Sequence, residues 1–131
     1  ALCDVVKDAL PCDGVDVVLC LFVLSSIAPG ALPGVVAKLG AALRPGGRLL
    51  FRDYGRYDAA QLRFGKGQKV GDHRYVKADG TSCFYFDLED VSELFAGFDV
   101  LSLKLDCRQE ANRATKTRRR RVFVEGHFRK R

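Results

Sequence analysis

The chain has 131 residues, of which 47% are hydrophobic and 29% charged, a composition typical of a globular domain. Its apolar runs are shorter than the ~20 residues of a membrane-spanning helix, and its five cysteines and two histidines lack the spacing of a zinc site or a histidine-based hydrolase. The odd cysteine count also argues against a disulfide framework, and the net charge of +6 is concentrated after Arg108.

The first predicted element is a strand at residues 16–24. This run is nearly continuous in Val and Leu, the pattern of a strand that is covered on both faces in a parallel sheet. Cys20 lies inside the run, where a free cysteine is typically a small buried hydrophobe. We therefore expect a central strand that contains a buried thiol.

A helix and a second strand follow. The helix is indicated by apolar residues at spacings of three and four, namely Leu32, Val35, Val36, Leu39 and Leu43. Residues 44–47 (RPGG) end it, because proline cannot continue a helix and glycine suits the turn. Residues 48–52 (RLLFR) form the next predicted strand, which completes a βαβ unit with a right-handed crossover.

The region after this unit is irregular. Residues 53–71 are rich in glycine and basic residues, and we predict a loop there with a short helix near residues 59–63. Asp79-Gly80 then separates two runs in which aromatic and polar residues alternate, 74–77 and 81–86. Such a dipeptide between alternating runs predicts a β-hairpin.

The last part of the chain is predicted to hold a helix and two strands. Asp87 is a candidate N-cap of the helix, which we expect to end near Gly97. Residues 99–105 and 122–128 alternate in character and predict two strands joined by a basic segment. That segment and the tail contain Arg113, Lys116, Arg118, Arg119, Arg120, Arg121, Arg129, Lys130 and Arg131. They indicate either a polyanionic partner or a solvated loop and tail.

Several short motifs in this order resemble one enzyme family. They are residues 22–27 (FVLSSI), 43–47 (LRPGG), 51–55 (FRDYG), 62–64 (LRF), 75–76 (YV) followed by 79–81 (DGT), and 121–124 (RVFV). Together they are similar to the tRNA N3-methylcytidine methyltransferases, over nearly the whole chain. The resemblance implies an α/β fold, in which residues 1–131 form the C-terminal half of a Rossmann-like methyltransferase sheet that ends in an antiparallel strand hairpin.

The resemblance also implies S-adenosyl-L-methionine as cofactor, although the sequence has no glycine-rich acidic loop to hold it. We expect that loop in a preceding half of the same domain, so that this chain alone would be inactive. By resemblance, Asp4 and Val5 contact the adenine, and Leu21 packs against the cofactor. Without the resemblance, Asp4 would be a solvated turn residue and Leu21 part of the core.

Asp53 is the candidate catalytic residue. We place it just past the carboxyl end of a parallel strand, the edge where open α/β sheets bind their ligands. Methylation of cytosine N3 leaves the base cationic, so a carboxylate there would stabilise the charge that develops. The alternative is that Asp53 pairs with Arg52 or caps a turn.

The candidate substrate-binding residues are Arg52, Tyr54, Arg63, Phe64 and Lys66. The cations would contact phosphates, and the aromatic rings would stack on a base. Because N3 lies on the Watson–Crick edge, the target base must be unpaired or extruded. The resemblance points to a cytidine in the tRNA anticodon loop.

The function that the sequence favours is therefore methyl transfer to N3 of a tRNA cytidine, with tRNA as partner and no membrane or metal. We further expect a synthetase or another accessory protein as partner. The expected location is cytoplasmic, with a mitochondrial one as the alternative. Two other functions stay open. One is a methyltransferase acting on a protein or a small molecule, which would have no need of the basic clusters, and the other is a non-catalytic RNA-binding module.

Overall fold

The computed structural model describes residues 2–131. Its elements in chain order are β1 (Val15–Leu21), two short 3-10 turns (Leu24–Ser26 and Pro29–Ala31), α1 (Leu32–Ala42), β2 (Leu43–Tyr54), α2 (Ala59–Leu62), β3 (Lys69–Gly71), β4 (Arg74–Val76), β5 (Ser82–Phe84), α3 (Leu88–Leu94), β6 (Phe98–Asn112) and β7 (Thr117–Lys130). Among these helices none has the length and apolar character needed to cross a membrane.

The main sheet has four strands in the order β1-β2-β7-β6. β1 and β2 are parallel and are joined through α1, as predicted for a βαβ unit. β7 runs antiparallel to both β2 and β6, so the sheet ends in the expected antiparallel hairpin. A small antiparallel sheet of β3, β4 and β5 includes the hairpin predicted around Asp79-Gly80.

The core lies on one face of the main sheet, beneath α1 and α3. Leu49 and Phe51 of β2 and Phe128 of β7 are buried there. Phe95, directly after α3, stacks on Phe128 with ring centroids 4.3 Å apart. α3 begins at the predicted cap Asp87, which forms a capping box with Asp90. The amphipathic pattern of the sequence thus places both helices correctly.

The sequence predicts a β1 that is covered on both faces, and within residues 2–131 it is covered on one face only. β1 is an edge strand of the described sheet, and the side chains of Val17, Leu19 and Leu21 are 51%, 63% and 47% exposed. Alternate residues of a strand point to opposite faces, and α1 and α3 cover only the other face. Cys20 does point into the core, and burial, followed by the charge of Asp53, raises the pKa of its thiol to about 12.

β2 begins earlier than predicted and includes the RPGG turn. Leu43 pairs with Val15, whereas the next paired residue of β2, Arg48, lies opposite Val17, so the intervening residues form a bulge. Gly46 within it has φ +78°, a conformation that favours glycine. The strand also continues past Arg52 to Tyr54.

The two final strands are much longer than predicted. Cross-strand pairing extends from Phe98 opposite Lys130 to Asn112 opposite Thr117, so the basic segment is a two-stranded ribbon and not a loop. The ribbon is exposed, and most side chains on both of its strands are charged or polar. Because apolar and polar residues do not alternate there, the pairing of these strands could not be predicted from the sequence.

Candidate functional site

The carboxyl ends of β1 and β2 meet at one edge of the sheet, as expected for parallel strands. The backbone N–H of Phe22 donates to the carbonyl oxygen of Arg52 at 2.8 Å, which extends the pairing one residue beyond β1. The chain then forms the turn Leu24–Ser26, which lies against this edge and is fixed from below by Asp53.

Asp53 lies inside β2, not past its end, and its carboxylate is fully buried. It accepts hydrogen bonds from the backbone N–H of Ser25 at 3.0 Å and of Tyr54 at 2.8 Å. Burial raises the pKa of this carboxyl group, although the hydrogen bonds oppose the shift. Both oxygens are used within the protein, so Asp53 holds the turn and does not face an open site. The expected position was wrong because the strand is longer than its apolar run.

Tyr54, Arg63 and Phe64 line one open cavity of about 600 Å³ beside this edge. The other residues around it are Ala60, Gln68, Lys77, Cys83, Tyr85, Arg119 and Arg121. One wall is aromatic, because the rings of Tyr54 and Tyr85 lie 5.9 Å apart and those of Phe64 and Tyr85 6.4 Å apart. Phe64 also stacks on Tyr75, with centroids 4.6 Å apart and planes 13° from parallel.

Four basic residues also line this cavity, and we call them its cationic wall. Arg63 and Lys77 come from the loop region and the small hairpin, whereas Arg119 and Arg121 come from β7. The sequence suggested two separate basic patches, and the structure joins them around one cavity. A neighbouring cavity of about 400 Å³ shares Arg63 and Arg119. A cavity lined by both aromatic rings and cations is suited to a nucleotide, which offers a flat base and an anionic phosphate.

Asp58 connects the two walls, and the sequence analysis did not single it out. Its carboxylate is fully buried, accepts from the Ala60 N–H at the start of α2, and accepts from Arg121 Nε and the Val122 N–H, both at 2.8 Å. The Gly55 N–H donates to the Val122 carbonyl at 2.9 Å beside it. An aspartate one residue before a short helix was the only available signal, and it indicates a cap, not a tertiary ion pair.

Arg52 and Lys66 do not line the cavity. Arg52 lies on the sheet face that α1 and α3 leave open, where it pairs with Glu125 and with Asp106 at 2.9 Å. Its guanidinium also sits 4.5 Å from the ring centre of Phe123. It therefore does not pair with Asp53, the alternative considered from the sequence. Lys66 is exposed in the loop between α2 and β3.

The candidate cofactor residues lie in two places. Asp4 is exposed in a turn, where its Oδ1 accepts from the Val6 and Lys7 N–H groups, and these bonds lower the pKa of its carboxyl group. Lys38 of α1 donates to the Val5 carbonyl at 3.2 Å and fixes this turn to the helix. Leu21 ends β1 on the open sheet face and lines a shallow cavity of about 340 Å³. Among residues 2–131, no hydrogen bond or cavity links Leu21 to the turn.

Metal chemistry has no candidate centre in the described part of the chain. No group of three or more His, Cys, Asp or Glu side chains comes together there in a way that could hold an ion. The five cysteines are all free, and Cys83, which lines the main cavity, is buried. Burial raises the pKa of the Cys83 thiol, which disfavours the thiolate that a nucleophile or a ligand would need.

The chain is similar to curated methyltransferases over nearly its whole length, although no family model matches it. It is 39% identical over 132 residues to "tRNA N(3)-cytidine methyltransferase METTL2" of Bos taurus, covering 98% of this chain and 35% of that protein. The human protein METTL2B, with the same description, is 39% identical over 95% of this chain. A Dictyostelium discoideum protein named "O-methyltransferase 3" is also 39% identical, over 98% of this chain. The chain spans about a third of the length of these relatives.

Solved structures show the same fold at low identity. A SAM-dependent methyltransferase from Methanosarcina mazei aligns with a TM-score of 0.67 and 13% identity, over 97% of this chain and 64% of that one. N-methyltransferase NodS from Bradyrhizobium japonicum, solved in complex with S-adenosyl-L-homocysteine, aligns with a TM-score of 0.60 and 14% identity, over 99% of this chain and 53% of that one. The fold predicted from the sequence is therefore confirmed.

Proposed function

We propose that this chain, which is homologous to about a third of the tRNA N(3)-cytidine methyltransferases, is the substrate-binding part of an enzyme that methylates N3 of a cytidine in tRNA. The single observation that carries the proposal is the cavity that aromatic rings and basic side chains line together. Its volume of about 600 Å³ is within the range of small-molecule sites and accommodates one extruded nucleotide.

The two walls divide the recognition of that nucleotide. We place the base against Tyr54 and Phe64, because stacking on aromatic rings is available to any unpaired base. The phosphates face Arg63 and Arg119, where opposite charge favours them.

The chemistry needs little from the protein beyond positioning. Cytosine N3 attacks with its own lone pair, so no general base is required to create the nucleophile. When bound, S-adenosylmethionine would supply an electrophilic methyl group carried on sulfur. The chain's own contribution is to extrude and orient the base, and Asp53 supports this by holding the turn Leu24–Ser26 beside the cavity.

Only part of a cofactor site is built by these residues. Asp4 has Oδ2 without a hydrogen bond among the described residues, an acceptor suited to the adenine amino group. Leu21 presents apolar surface suited to a ring face. The residues thus fit the edge of a nucleoside, and we propose that a preceding part of the same domain supplies the acidic, glycine-rich loop. A cytidine of the anticodon loop and an accessory partner are further proposals, which rest on the family resemblance alone.

The test is methylation of tRNA by the full-length enzyme, followed by identification of the modified nucleoside. N3-methylcytidine is the expected product, and methylation of an oxygen, as the name of the Dictyostelium discoideum relative would allow, would contradict the proposal. Phe64→Ala is expected to lower kcat/KM by roughly ten- to a hundredfold, the scale of one lost base stack. Leu62→Ala is the matched control, because Leu62 is 69% exposed two residues earlier and lines no cavity.

A further inference from the structure

The four consecutive arginines of β7 do not share one surface. Successive side chains of a strand point to opposite faces, and Arg119 and Arg121 line the main cavity. Arg118 and Arg120 therefore point to the other side of the ribbon, which we call the outer face. Their cross-strand neighbours are Ala111 and Gln109, respectively.

The two faces differ in their balance of charge. On the cavity side, Arg119 pairs with Glu110 at 3.2 Å, and Arg121 pairs with Asp58 at 2.8 Å. Arg108, directly opposite Arg121, pairs with Asp106 at 3.0 Å. Each arginine on that side thus has a carboxylate partner.

The outer face has no such partners. Within residues 2–131, neither Arg118 nor Arg120 forms an ion pair, and the only polar contact of these two side chains is from Arg120 to the Cys107 sulfur at 3.6 Å. Both residues are exposed, and their cross-strand neighbours are uncharged. Two residues apart on a strand, the Cα atoms of Arg118 and Arg120 are separated by about 7 Å, and both side chains leave the same face, so the two positive charges repel each other. This repulsion is relieved when a polyanion lies across both.

We propose that the outer face of the ribbon, formed by Arg118 and Arg120, is a second binding site for RNA phosphates, separate from the cavity that receives the target nucleotide. The proposal rests on the proposed function, because it takes tRNA to be the polyanion. The ribbon then inserts between two segments of the tRNA. Arg119 and Arg121 face the reacting nucleotide, whereas Arg118 and Arg120 hold a backbone segment that does not react.

The difference between the faces gives different kinetic signatures. Phosphate contacts on a non-reacting segment contribute equally to the ground state and the transition state, so their loss raises KM and leaves kcat unchanged. Each contact to a single strand also contributes about 0.7 to the slope of log affinity against log salt. Loss of two contacts should lower this slope by about 1.4. If the variant and the wild type bind equally at 1 M salt, the variant then binds roughly 25-fold more weakly than the wild type at 0.1 M salt.

The experiment compares paired variants of the full-length enzyme by tRNA affinity between low and moderate salt, and by turnover at saturating tRNA. Arg118→Gln with Arg120→Gln is the test pair, and Arg118→Lys with Arg120→Lys keeps the charge. Arg129→Gln with Arg131→Gln is the matched control, since these residues lie at the far end of β7, where they pair with Asp99. The expected result is a smaller salt slope and a raised KM for the test pair alone, with kcat within twofold of wild type.

Two outcomes overturn the inference: an unchanged salt slope in the test pair, or a fall in kcat as large as the rise in KM. Its failure is distinguishable from failure of the proposed function. A wild-type enzyme that binds tRNA but forms no N3-methylcytidine refutes the function, and the slope still decides the inference. A wild-type enzyme that does not bind tRNA refutes both.

Discussion

Asp58→Ala should be among the most destabilising single substitutions in this part of the enzyme. The change removes the only carboxylate partner of Arg121 closer than 3.5 Å and leaves the Val122 and Ala60 N–H groups without their acceptor. Arg121 keeps only a distant contact with Glu110, at 3.8 Å. The buried guanidinium and the two N–H groups would all have to be satisfied by water that enters the base of the ribbon.

The magnitude follows from the burial of this pair. The Asp58 side chain is fully buried and that of Arg121 is 15% exposed. Removing one partner of such a pair costs about 3–5 kcal/mol, because an unpaired charge is left behind. This is a large fraction of the roughly 5–15 kcal/mol that separates a folded domain from its unfolded state. The thermal midpoint should fall by roughly 10 °C.

Urea unfolding and thermal unfolding of the full-length protein measure the effect. Asp16→Ala is the control, since it removes the carboxylate of another arginine pair whose side chains are 77% and 55% exposed, where ion pairs contribute little. Asp58→Asn keeps an acceptor for one N–H, so its loss of unfolding free energy should lie between those of Asp58→Ala and Asp16→Ala. If Asp58→Ala is no more destabilising than Asp16→Ala, Asp58 does not join the two walls of the cavity in the way described.

Three further predictions concern other residues of the site. Burial raises the pKa of Asp53, so between the usual value of 3.8 and the raised one the unfolded chain binds fewer protons than the folded chain, and the free energy of unfolding falls as pH rises. Asp53→Asn lacks this dependence, so wild type should lose more stability than the variant as the pH rises above about 4 in urea titrations. Turnover of the variant should fall by about a hundredfold, because the turn Leu24–Ser26 is no longer held by the carboxylate and a small displacement of a site has an effect of that size. Arg63→Gln should weaken tRNA binding with little change in the thermal midpoint. Arg52→Gln should instead lower the thermal midpoint, because Arg52 is held by Asp106 and Glu125. Equal effects of the two variants on tRNA binding would contradict the assignment of Arg63 to the site and of Arg52 to the fold. The 131-residue chain alone should not bind S-adenosylmethionine at micromolar concentrations, and a calorimetric titration that detects such binding would refute the partial cofactor site described above.

The elements that could be predicted from the sequence are those with an apolar period. α1, α3 and the apolar middle of the second parallel strand follow from it, and Asp87 was correctly placed as a cap. The ribbon could not be predicted in this way, because residues 107–121 bury almost nothing and their pairing depends on continuation of the hairpin from the sheet. What covers β1 could not be predicted either, for a related reason. A hydrophobic run shows that a strand can be buried on both faces, but not which residues of the chain cover it.

The roles of Asp53 and Asp58 also depend on contacts that the sequence does not show. Asp53 lies in the motif 51–55 and Asp58 between that motif and the next one, and the chemistry of a carboxylate beside a reacting base favoured the first of them. In the structure both are buried and both hold backbone N–H groups in place, Asp53 beneath the turn Leu24–Ser26 and Asp58 between α2 and β7. A carboxylate that contacts the substrate and one that positions its neighbours look identical in a sequence, since the distinction depends on which N–H groups lie within 3 Å. The groups that face the open cavity are the aromatic rings and the guanidinium groups, so the described residues are better suited to selecting and orienting a nucleotide than to supplying acid–base chemistry. The proposed function, transfer of a methyl group to a nitrogen that already has a lone pair, would require no more than that from these residues.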